Sequence, residues 1–90
     1  AEHMNPDHTD TLNELAICAM EMGNYDKSRN YLTRALRQEP ENVKVLSNLG
    51  IVSMKEEDFE SAEGFFRSAL DVEPEDPVAK QYLSFIQEKK

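Results

Sequence analysis

Ninety residues of 10.3 kDa make one small domain, and 31% charged with 39% hydrophobic residues is the composition of a folded chain rather than a disordered one. Lys plus Arg number 10 against 18 Asp plus Glu, giving a net charge of −8 and a pI of about 4.6. That balance opposes both nucleic-acid binding through counterion release and docking on anionic membrane. A single cysteine, Cys18, rules out an internal disulfide, and no apolar run approaches a membrane span. Nothing here calls for an oxidising compartment, so a cytoplasmic location is expected, with a periplasmic one as the alternative.

Apolar residues fall at helical spacing along nearly the whole chain. Leu12, Leu15, Cys18, Ala19 and Met22 form a stripe that predicts a first helix over 9–22. Gly23-Asn24 then supplies a residue suited to left-handed backbone and an N-cap for a second helix over 25–38, carrying Tyr25, Tyr31, Leu32, Ala35 and Leu36. Pro40 closes that helix and Asn42 can cap a third, over 43–56. The next turn has Asp58 at the cap position but Glu57 where glycine is expected. A fourth helix over 59–72 stops before Pro74, and Asp76-Pro77 is a favourable start for a fifth over 77–89. The expected fold is all-α, with five helices and no strand.

The chain also repeats itself. Shifted by 34 residues, 9–42 lies over 43–76, and nine positions are identical where roughly two are expected by chance. They include Leu12 with Leu46, Leu15 with Leu49, Ile17 with Ile51, Met20 with Met54 and Pro40 with Pro74. The exchanges keep shape: Ala16 with Gly50, Tyr25 with Phe59, Tyr31 with Phe65, Ser28 with Ala62. A period of this length means stacked helical hairpins.

In the second unit the pattern reads Leu46-x2-Leu49-Gly50-x2-Ser53, then Phe59, Ala62, Phe66, Ala69 and Pro74. The first reads Leu12-x2-Leu15-Ala16-x2-Ala19, then Tyr25, Ser28, Leu32, Ala35 and Pro40. Both resemble the tetratricopeptide repeat, W-x2-L-G-x2-Y followed by Ala, Phe and Pro, although the aromatics at the first and Tyr positions are missing. The resemblance implies a short right-handed α-solenoid of two hairpins, 9–42 and 43–76. The segment 77–90 is then a capping helix or the first helix of a third unit, and its polar ending favours the cap. Small residues at Ala16, Gly50, Ser28, Ala62, Ala35 and Ala69 are expected where helices approach closely, and larger ones fill the grooves between them.

Residues 1–8 read as a leader. Ala1-Glu2-His3-Met4 looks like an expression scar. Pro6 keeps the 34-residue phase with Pro40 and Pro74, so Asn5-Pro6-Asp7-His8 resembles the tail of a preceding repeat and the chain a piece of a longer array.

No catalytic constellation is legible. His3 and His8 lie in the leader, and Cys18 is expected to be a buried core residue without a histidine to activate it. The acidic run Glu56-Glu57-Asp58 lacks the ligand spacing of a calcium loop, and no glycine-rich phosphate loop occurs. Enzymatic activity, cofactors and metals are therefore not expected. Hairpin repeats that read RNA need a basic face, which the charge opposes.

What the resemblance does imply is binding of a peptide or helix of a protein partner in a concave groove lined by the first helix of each hairpin. By helical phase the groove residues are Asn13, Ile17 and Met20, then Ser47, Asn48, Ile51 and Met54, then Tyr82 and Phe85. Met and aromatic residues suit adaptable peptide surfaces. The subclass that grips a C-terminal carboxylate needs Lys, Asn, Lys and Arg where Asn13, Ile17, Val78 and Tyr82 stand, and only Asn48 falls in place. The alternative is self-association, with the apolar groove or an exposed hairpin end pairing two copies in a homodimer.

Overall fold

Five helices succeed one another at nearly the positions the caps and prolines predict: α1 (Thr9–Glu21), α2 (Tyr25–Gln38), α3 (Val43–Lys55), α4 (Phe59–Val72) and α5 (Pro77–Lys89). They are seen in a computed structural model in which residues 8–89 are described. The leader over 1–7 and Lys90 lie outside the described residues.

The 34-residue period of the sequence is also a period of the backbone. α1 and α3 each have 13 residues, and α2 and α4 each have 14. The two hairpin turns superpose in their torsions, with Asn24 at φ −92°, ψ 76° and Asp58 at φ −94°, ψ 77°. In the first turn Asn24 N–H donates to the Ala19 carbonyl and Gly23 N–H to that of Met20. In the second, Asp58 N–H donates to Ser53 and Glu57 N–H to Met54. Both are Schellman motifs, which satisfy the orphan carbonyls at a helix end and require left-handed backbone at one residue. That residue is Gly23 at φ 83° and Glu57 at φ 63°. The cap residues then open the following helices: Asn24, Asn42, Asp58 and Asp76 accept from the backbone N–H of Lys27, Val45, Ser61 and Ala79. One cap is unforeseen: His8 Nδ1 accepts from Asp10 N–H at the start of α1.

Glu57 is the one non-glycine residue with positive φ among those described. A side chain there costs about 1 kcal/mol relative to glycine. Glu57→Gly is therefore expected to raise the melting temperature by a few degrees. A thermal melt checks it, and an unchanged or lower midpoint contradicts the strain.

Each helix packs on the next along the chain, and α1 also touches α3 across the hairpin between them. α3 is the central element. It turns Val45, Leu49 and Val52 back onto Leu12, Ala16 and Met20 of α1 and Leu32 and Ala35 of α2. It turns Leu46 forward onto Ala62, Phe66 and Ala69 of α4 and Ala79 and Ile86 of α5. The small residues expected at close approaches are all buried there. At one of them the two helices of the first hairpin are tied directly, since the Ser28 hydroxyl donates to the Ala16 carbonyl at 2.8 Å.

One core assignment needs correction. Cys18 is exposed, not buried, and so are Leu15 and Met22 on the same stripe. The counterparts of Leu15 and Cys18, 34 residues on, are Leu49 and Val52, which are buried because α2 lies against them. No described element lies in the corresponding place against α1. On α5 the face equivalent to the one with which α3 meets α4 carries Lys80, Ser84 and Gln87, all exposed.

Candidate functional site

The first helices of the two hairpins, α1 and α3, touch each other, and their cleft-lining residues sit three and four positions apart. Between them lies an open cleft of about 450 Å³. α1 contributes Asn13, Glu14 and Ile17 to its wall, and α3 contributes Val43, Lys44, Ser47, Asn48 and Ile51. Val78 of α5 and the capping residue Asp76 close the far end.

Two of the lining amides are bonded to each other. Asn48 Nδ2 donates to Asn13 Oδ1 at 2.7 Å, joining α3 to α1. That bond uses one donor and one acceptor, and each amide keeps its complementary group for a ligand. Ile17 and Ile51, equivalent positions of the two units, line the same cleft and give it apolar surface. Glu14, Asp76 and Lys44 also line it, so the cleft carries both signs of charge.

The structure thus brings together five of the expected groove residues: Asn13, Ile17, Ser47, Asn48 and Ile51. Ser47 is 7% exposed, and its hydroxyl is shut away from solvent, so it shapes the wall without offering a hydrogen bond. Met20 is not a groove residue. It is 7% exposed and fills the junction of α1 with α2 and α3, because α1 packs directly on α3 at that turn. Met54 is half-buried against the second core cluster. Tyr82 is half-buried too, with its ring stacked on Phe66 at 5.2 Å between centroids and 5° between planes. Phe85 is exposed, but its ring lies under the Lys89 ammonium at 5.3 Å rather than in the cleft. Val43 and Asp76 are cleft residues that helical phase did not select. Both sit at the opening of a helix, where the cap rather than the wheel sets the direction.

Among the described residues no group of three His, Cys, Asp or Glu side chains is placed to hold a metal. The acidic run at the second turn has structural work, since Glu56 pairs with Arg29 of α2 and Asp58 caps α4. No described helix is long and apolar enough to cross a membrane.

A family profile described as Tetratricopeptide repeat matches residues 3–79. A search of curated proteins found no match to the chain.

Proposed function

Because the chain belongs to the tetratricopeptide repeat family, whose repeats are protein–protein interaction modules, we propose that it is a non-catalytic scaffold module holding an extended peptide or a helix of a partner protein in the α1–α3–α5 cleft. The observation that carries this reading is the Asn13–Asn48 pair in an open cleft that Ile17 and Ile51 also line. Unspent amide groups suit a peptide backbone, and adjacent aliphatic side chains suit its apolar anchors. The border of Glu14, Asp76 and Lys44 favours a segment with a mixed or basic flank over a free carboxylate. Asn48, the one residue matching the carboxylate-gripping pattern, is already bonded to Asn13.

The test uses a peptide selected from a displayed random library on the whole chain. Ile17 is 38% exposed, so Ile17→Ser leaves the core intact. It is expected to weaken that peptide by about 1 kcal/mol or more, roughly fivefold, with helical circular dichroism unchanged. Equal affinity in the folded variant contradicts the cleft as the binding surface.

A further inference from the structure

A cation rests against two aromatic rings where α4 begins and α5 ends. Phe59 opens α4, and Phe85 and Lys89 stand one turn apart at the close of α5. The Lys89 ammonium lies over both rings, 5.9 Å from the centroid of Phe59 and 5.3 Å from that of Phe85. Among the described residues no carboxylate pairs with it, so the rings hold it alone. Both distances are close to the outer limit of about 6 Å for a cation over an aromatic face. Phe85 also remains 44% exposed, so Lys89 covers it incompletely.

The repeat itself does not require this arrangement. Thirty-four residues earlier the same three places hold Tyr25, Ile51 and Lys55, a single ring beside an aliphatic side chain. The second ring is therefore a departure from the pattern, and it faces a cation.

We propose that Phe59 and Phe85 form a binding site for a trimethylated lysine of a partner protein, which Lys89 occupies in the free chain. Aromatic faces are negative and attract a cation. They offer poor acceptors for N–H groups, which disfavours a bare ammonium or a guanidinium that must leave water with its donors unmatched. A trimethylammonium has no N–H to satisfy, and its methyl groups widen it to fill the space that the Lys89 ammonium leaves over both rings. The net charge of −8 draws such a cation towards the chain. Lys89 acts as an internal competitor, lowering the apparent affinity by the fraction of molecules in which it fills the site. The site lies on α4 and α5 and is independent of the Asn13–Asn48 cleft.

The test follows the aromatic proton resonances of Phe59 and Phe85 while the whole chain is titrated with a short alanine peptide carrying one central trimethyllysine. Both rings are expected to shift. The same peptide with unmodified lysine, or with a neutral tert-butyl isostere of the trimethylammonium, is expected to bind about fivefold or more weakly. Lys89→Ala is expected to tighten the trimethyllysine peptide by about threefold or more, which a purely structural lysine would not do. Phe85→Leu is expected to weaken it about fivefold or more with unchanged circular dichroism, since the ring is exposed. Rings that fail to shift in both the unaltered chain and Lys89→Ala overturn the proposal. Equal affinity for the neutral isostere overturns it too, because the site would then read shape and not charge. So does a Lys89→Ala chain that binds no more tightly. Tighter binding to phosphatidylcholine vesicles than to the peptide also overturns it, since the ligand would then be a lipid headgroup.

Discussion

Phe66→Ala is expected to be the most damaging single substitution in this chain, at about 3–5 kcal/mol. Phe66 is the largest fully buried side chain, with no exposed surface. It joins three elements: it rises from α4, meets Gly50 of α3 and stacks on Tyr82 of α5. Its removal opens a cavity between α3, α4 and α5, and it also deletes the aromatic pair with Tyr82 of α5. A domain of this size has several kcal/mol of stability in total, so the variant should be largely unfolded at moderate urea. The urea midpoint is the measurement. A shift below about 1 kcal/mol would mean that α5 and α4 are not joined through this ring.

Gly50→Leu is the second, acting on the same contact from the opposite side. A Cβ on Gly50 would stand 2.6, 2.7 and 2.8 Å from Cζ, Cε1 and Cε2 of Phe66. Carbon atoms cannot approach that closely, and the ring is neither exposed nor free of Tyr82. The leucine must therefore push α3 and α4 apart, at a cost of about 1–3 kcal/mol or more. The first unit solves the same contact differently: Ala16 and Leu32, both fully buried, stand where the second has Gly50 and Phe66. One unit pairs a small residue with a medium one, and the other pairs none with a large one. Gly50→Ala combined with Phe66→Leu rebuilds the first unit's choice. The pair should cost less than the sum of its parts by about 1 kcal/mol in a double-mutant cycle. Strict additivity would show that the two positions do not share a contact.

Helix ends were legible because local chemistry decides them. Gly23, Pro40, Pro74 and the four Asn or Asp caps act within a turn of their own position, and the observed helices end within one residue of the expected bounds. Repeat phase was equally legible, even to the strained Glu57. What periodicity leaves open is whether a neighbour covers a given face. Leu15 and Leu49 are the same residue in the same phase, yet one is exposed and the other buried, because among the described residues only the second has α2 or its like packed on it. The expected burial of Cys18 failed for that reason. Groove membership was partly legible for a related cause. Ile17 and Ile51 do line the open cleft, but Met20 is buried in the first core cluster, where packing takes it. Tyr82 was likewise claimed by its stack on Phe66, a pairing between distant segments that no local pattern announces.

The cleft between α1, α3 and α5 is the centre of this account, and amide chemical-shift mapping tests it most directly. A ¹⁵N-labelled chain is titrated with the library-selected peptide. The largest shifts are expected at Asn13, Ile17, Asn48 and Ile51, with the Asn13 and Asn48 side-chain amides moving together because one bond joins them. Shifts gathered instead on the outward faces of α2 and α4, with both amides unmoved, would contradict it.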